Sequence, residues 1–233
     1  MQSRILILLP PALLLSACAI ETAGPTQHDY RNLEMDSSES LRVSLKMGAG
    51  QVRVSSGTQK LARVDFTYNI ASWKPYVHYS SVAGHGDLTI EQPGGTHSHI
   101  GANRYEWDLR LNRDIPTDLR VNFGAGEADL DVGGLSLRSV DIDMGVGHLN
   151  LNLRGTPKHS YDVRIRGGVG EATVRLPGDV GISAQAEGGI GEISTTGLRH
   201  EGHHYFNDAY DRSKVTIHLD IHGGVGAIRL ISE

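Results

Sequence analysis

A Gly-x-Gly element recurs along the 233 residues, and the phase of the apolar residues around it limits what the chain can fold into. The elements are Gly48-Ala49-Gly50, Gly84-His85-Gly86, Gly124-Ala125-Gly126, Gly145-Val146-Gly147, Gly168-Val169-Gly170, Gly189-Ile190-Gly191 and Gly224-Val225-Gly226. Apolar residues alternate before each element, as in Val140, Ile142 and Met144, and alternate again after it, as in Leu149 and Leu151. Alternation of this kind is the mark of a half-buried strand. Yet Met47 to Val52, Phe123 to Ala128 and Met144 to Leu149 are each five residues apart. An uninterrupted strand keeps two residues on one face only at an even separation. The element must therefore contain a one-residue shift that turns the strand while the apolar residues stay inward. Glycine suits such a corner because it tolerates positive φ and close backbone approach.

From Gly124 to Gly189 the elements follow at 21, 23 and 21 residues. A near-constant period of that size describes stacked supersecondary units, each burying its apolar face against the next. No stretch after the leader carries a helical period. The expected fold is all-β: a right-handed β-solenoid or rolled single sheet of about seven strand–corner–strand repeats, with the fourteen glycines above as structural corners.

Glycine-rich turns also bind ligands, so those readings need testing. The calcium nonapeptide requires an aspartate at its sixth position to supply carboxylate oxygen. Here that position holds Ala172, Ile193 or Ile228, which read as core residues. No G-x-x-x-x-G-K-[ST] is present, and no G-x-G-x-x-G leads from a strand into a helix. No cofactor is expected.

His200-Glu201-Gly202-His203-His204 satisfies H-E-x-x-H. Zinc proteases need that motif on a helix, so that two histidines one turn apart share the metal and the glutamate reaches its water. Gly197 lies just before it, Gly202 within it, and β-type sequence on both sides. The expectation is a polar loop, with no catalytic residue and no resident metal. A hydrolase using His200, Glu201 and His204 is the reading it displaces. The segment from Arg199 to Ser213 breaks the regular spacing and gathers His200, His203, His204, Tyr205, Phe206 and Tyr210. It is either an interaction loop or a cover over the end of the repeat stack. Trp73 and Trp107 sit in aromatic strands, where packing at one end of the fold is favoured over a carbohydrate platform.

The chain opens MQSRILILLPPALLLSAC, with one basic residue, an apolar run too short to span a bilayer, and small residues before Cys18. Residues 1–17 read as a signal peptide. Leu15-Ser16-Ala17-Cys18 resembles a bacterial lipobox, and Cys18 is the sole cysteine, so lipidation there is expected. Removal of Arg4 with the leader moves the formal charge from −5 to −6. That sign disfavours nucleic acid. Residues 18–40 read as a flexible tether and 41–233 as the folded domain.

The ordered set of turns resembles the toast-rack and LiaF-like group, related to adhesin-type domains. The likeness is strongest in DIPTDLRVNFGAGEADLDVGGLSLRSVDIDMGVGHLNLNL, in GGVGEATVRLPGDVGISAQAEGGIGEISTTGL, in YFNDAY, and in VTIHLDIHGGVGAIRL. The resemblance implies a β-helical or rolled-sheet domain without catalysis at the cell envelope. Some relatives carry transmembrane helices and act in cell-wall stress responses, whereas this chain has a lipobox. The expected protein is a lipid-anchored structural or interaction module, periplasmic or surface-exposed, with the membrane and an envelope protein as partners and its oligomeric state open. A polysaccharide-active or carbohydrate-binding β-helix is the main alternative.

Overall fold

A computed structural model of the protein describes residues 20–94, 98–100 and 103–233. The expected signal peptide and Cys18 lie outside the described residues. The first strands are β1 (Ile20–Thr22), β2 (Gln27–Leu33), β3 (Ser40–Thr58), β4 (Ala62–Tyr68), β5 (Tyr76–Val82), β6 (His85–Glu91), β7 (Ser98–Ile100) and β8 (Tyr105–Asn112). They are followed by β9 (Thr117–Asp131), β10 (Leu137–Asn152), β11 (Tyr161–Leu176), β12 (Gly181–Thr196), β13 (Arg199–Glu201), β14 (His204–Phe206) and β15 (Thr216–Ser232). The helical content among the described residues is a single 3₁₀ turn, Ala71–Trp73.

Six long strands carry the fold. β3, β9, β10, β11, β15 and β12 lie side by side in that order, every neighbouring pair parallel. Their corners are in register: Val146 pairs with Ala125 on one side and Val169 on the other, and Gly147 with Gly126 and Gly170. Each strand is thus a bent rung of one rolled sheet. The phase shift appears in the burial of β10, where Val140, Ile142 and Met144 are buried, Val146 is 54% exposed, and Leu149 and Leu151 are buried again. The two arms of each rung contribute to one contiguous core. A narrow apolar cavity lies between them, lined by Met144, Ile165 and Ile221 from the first arms and Ala172, Ile193 and Ile228 from the second.

The corner works by contact between backbones. Gly147 has φ +143, and a Cβ built there would lie 1.9 Å from the Gly126 carbonyl oxygen. Gly145 has no positive φ, so the reason for its glycine differs from the expected one. A Cβ there would lie 2.2 Å from the Gly124 oxygen. The first glycine of the element removes a clash, and the second removes a clash and supplies the forbidden dihedral.

Three expectations need correction. Gly84-His85-Gly86 is no corner: Ala83 (φ +50) and Gly84 (φ +78) form the two-residue turn of the β5–β6 hairpin, His85 starts the return strand and Gly86 lies within it. Residues 27–33 are no tether. They form β2, paired antiparallel with β4 from Gln27 opposite Tyr68 to Leu33 opposite Ala62. Nor do the rungs stack in chain order, because β15 enters between β11 and β12. The 35 residues from Gly189 to Gly224 supply the chain for that crossing.

On the outer face, opposite charges alternate across the rungs. Arg164 contacts Asp141 at 3.0 Å and Asp220 at 3.9 Å, and Arg120 contacts Asp141 at 3.7 Å. Asn150 and Asn152 donate to Asp129 and Asp131, each at 2.9 Å. Exposed pairs of this kind contribute little to stability. Their value lies in register, since slipping a strand would set like charges opposite one another.

Candidate functional site

The segment after β12 combines the histidines, the aromatics and the break in spacing, and its local structure decides what it can do. Gly202 at φ +65 closes a tight hairpin between β13 and β14. His200 pairs with Tyr205, and Glu201 with His204. Paired residues share a face and neighbours along a strand alternate, so His200 and His204 project to opposite faces. His200 stacks on Tyr205 at 6.1 Å and His204 on Phe206 at 6.3 Å. The hairpin therefore cannot bring both histidines to one metal, as a helix would. Among the described residues no group of three or more His, Cys, Asp or Glu is placed to hold a metal ion. Protein purified without an affinity tag should show no stoichiometric zinc by elemental analysis, and Glu201→Gln should leave any phenotype unchanged. Bound zinc together with a lost activity in that variant would reverse the reading.

The rest of the segment folds back on the sheet. β14 pairs antiparallel with β12 over Ser183 to Gln185, and the Ala186 amide donates to the His203 carbonyl at 3.3 Å. Tyr205 packs against the core. Phe206 rests 4.8 Å from Tyr210 and beneath the Arg199 guanidinium at 5.8 Å. Arg199 also donates to Asp211 at 2.8 Å and to the Asn207 carbonyl at 3.2 Å. These contacts fasten a cover over the first arm of an edge strand. His200, His203 and His204 stay exposed.

The residue that holds the cover was missed in the sequence. Asn207 is 2% exposed. Its Oδ1 accepts from the Ile182 amide at 2.9 Å, and its Nδ2 donates to the Val180 carbonyl at 2.7 Å. The first arm of β12 is thus satisfied by a side chain where a neighbouring strand would otherwise pair. Nothing in the run Tyr-Phe-Asn-Asp marks that asparagine out; its role follows from β12 lying at the sheet edge.

At the other end of the sheet, Trp107 is 1% exposed and packs edge-on against Phe66 at 5.9 Å and Tyr105 at 5.6 Å. Trp73 meets Tyr105 at 5.3 Å. Burial holds the Tyr105 hydroxyl well above its ordinary pKa. With Trp107 and Tyr105 buried, these two rings pack the fold, and Trp73 is half-buried against them. A second feature passed over in the sequence is the middle residue of each corner. Val146, Val169, Val225 and Ile190 point outward and are 54%, 47%, 46% and 73% exposed.

A rolled sheet with a glycine row along its bend is a restrictive geometry, and the comparison with known families agrees with it. The model of the N-terminal domain of toast_rack, DUF2154, matches residues 22–175. The chain belongs to the toast-rack family. Among solved structures, this toast-rack chain is similar to a candidate cell adhesion protein of Clostridium sporogenes, at 34% identity and a TM-score of 0.87. That match covers 90% of this chain and 100% of the other. Candidate adhesins of Bacteroides fragilis (9% identity, TM-score 0.33, 90% of this chain and 99% of that one) and Parabacteroides merdae (11%, 0.29, 90% and 98%) are too distant to carry argument. A search of curated proteins finds no match.

Proposed function

We propose that this toast-rack chain is a lipid-anchored protein of the bacterial cell envelope that acts without catalysis, as a structural and interaction module in adhesion-type contacts. The observation that carries the reading is the likeness, over the whole of that chain, to the Clostridium sporogenes candidate cell adhesion protein. The Leu15-Ser16-Ala17-Cys18 close supports the anchor. Several acyl chains on one cysteine exceed the single chain that gives only marginal membrane binding. The outer-face carboxylates of Asp141 and Asp220 are each set beside an arginine, which disfavours a polysaccharide-cleaving groove, where a pair of carboxyl groups would flank the bond.

The anchor also sets an orientation. Cys18 lies nine residues before Gln27, where β2 forms one end of the sheet order, while β12 and its hairpin form the other. Lipid at Cys18 would hold the β2 end near the membrane and turn the β12 end away from it.

Fractionation tests the anchor. Cys18→Ala should move the protein from the membrane to the soluble fraction, and unchanged membrane association would overturn it. An attachment assay tests the adhesive role separately. Cells lacking the chain should bind less to their surface or partner cell, and wild type should restore binding. Equal attachment with and without the chain would remove the adhesive role and leave the anchor standing.

A further inference from the structure

We infer that the β2 end of the domain rests on the bilayer that anchors it, with Tyr30 and Tyr76 at headgroup depth. This contact depends on the lipid at Cys18 proposed above and adds a second, non-covalent hold.

The chain between lipid and fold is short. Cys18 stands six residues before Gly24, whose amide donates to the Asn69 carbonyl at 2.8 Å. Six extended residues span at most about 20 Å. Asn69 follows β4 directly and leads through the 3₁₀ turn Ala71–Trp73 to Tyr76, the first residue of β5. Lipid at Cys18 therefore keeps this end of the fold close to the membrane surface.

The end itself is made of two strand edges. β3 pairs through its first arm with β6 and through its second with β8. β5 continues the first layer beyond β6, and β4 and then β2 continue the second beyond β8. Among the described residues no strand pairs with the far side of β5 or of β2. The two edges lie together, because Arg31 of β2 and Tyr76 of β5 line one cleft. Lys74, just before β5, contacts Asp29 of β2 at 3.1 Å.

Large apolar side chains exposed among the described residues fall into two groups. One is the corner row on β10, β11, β15 and β12, toward the far end of the strand order from β2. The other is Tyr30 on β2, Met35 just after it, and Tyr76 and Val82 on β5. Tyr30 and Tyr76 are 64% and 68% exposed, whereas the other tyrosines of the chain are buried or half-buried. Tyrosine, with an apolar ring and a polar tip, belongs at the membrane–water interface.

The placement of the two rings selects a surface over a strand. A strand added to one edge would touch one tyrosine and leave the other in water. A surface laid across both edges covers both. The edges also fix the depth, because their unpaired N–H and C=O groups find partners among headgroups and water but none in hydrocarbon. Charge plays little part, since Lys74 and Lys60 are paired with Asp29 and Glu34.

The test uses the full lipidated chain in phosphatidylcholine vesicles. Cys18 is the sole cysteine and its thiol is blocked by lipid, so His78→Cys, on the same face of β5 as Tyr76, takes a single fluorophore. Lipids with a nitroxide on the headgroup should quench it several-fold more than the same fluorophore on Glu201→Cys in the β13–β14 hairpin. Replacing Tyr30 and Tyr76 together by serine should lower the quenching at position 78 to the hairpin level. The protein should stay on the vesicles, and its melting temperature should not change, because both rings are exposed. Equal quenching at the two positions, or quenching that survives the double serine variant, would overturn the contact and leave the anchor standing. Quenching that appears only when phosphatidylglycerol is added would replace tyrosine insertion by charge attraction and overturn it too. Wild type that fails to float with the vesicles would overturn anchor and contact together.

Discussion

Gly147→Ala should leave little folded protein, although it adds one methyl group. Two effects act at Gly147: φ of +143, which a side chain resists, and a Cβ that would sit 1.9 Å from the Gly126 oxygen. Other glycines of the same chain separate these effects. Gly57 has φ +122 and nothing within 4 Å of its Cβ position, so Gly57→Ala measures the dihedral strain alone, about 1–3 kcal/mol. Gly145 has no positive φ but a Cβ position 2.2 Å from the Gly124 oxygen, so Gly145→Ala measures the clash alone. The clash is between backbones on adjacent rungs, and no flexible side chain can move aside. Relief requires spreading two parallel strands and breaking their ladder, which places the cost beyond about 4–5 kcal/mol, the range in which single changes unfold a domain. Thermal melts of the soluble fraction should rank Gly57→Ala above Gly145→Ala, and Gly145→Ala above Gly147→Ala, with exposed Lys158→Ala at wild type. A Gly147→Ala protein melting like Gly57→Ala would mean that the rungs do not meet at the glycines.

The same row shows why part of the fold could be read from sequence. An odd separation of apolar residues across each corner is a statement about faces, and it survives into Met144 and Leu149 buried on either side of exposed Val146. Neighbour order is a different kind of information. Every rung has the same apolar pattern and the same corner, so β15 fits beside β11 as well as β12 would, and local sequence cannot rank them. β2 escaped notice because it is an edge strand whose residues are exposed or half-buried throughout, leaving no alternation to detect. Gly84 misled because a hairpin turn and a corner both select glycine. The candidate site divides likewise. Gly202 inside H-E-x-x-H argued against a helix and the chain turns there, but Asn207 has meaning only once β12 is known to be an edge.

Asn207→Ala should lower the melting temperature by roughly 4–12 °C, and the hairpin's function follows from what accompanies that loss. The substitution leaves the buried Ile182 amide and Val180 carbonyl without the partners now at 2.9 and 2.7 Å. Each such orphan costs about 1–3 kcal/mol. The pair together costs roughly 2–3 kcal/mol if water reaches one of them, and about 2–4 °C per kcal/mol is usual for a domain of this size. Replacing Tyr205, Phe206 and Tyr210 together by alanine should also lower the melting temperature. It removes the Tyr205 contact with the core and the Phe206–Tyr210 stack that holds β14 over Ser183 to Gln185. The exposed histidines give the contrast: His200→Ala with His203→Ala should change stability little, since neither ring is buried. Melts of the three variants, run beside crosslinking in cells, separate a cover from a contact surface. If the aromatic triple variant melts like wild type but loses its crosslinks, the hairpin is a binding loop and the cover reading fails. If it melts early while the histidine variant alone loses crosslinks, the hairpin does both, with its aromatics holding it over the edge of β12 and its exposed histidines meeting the partner.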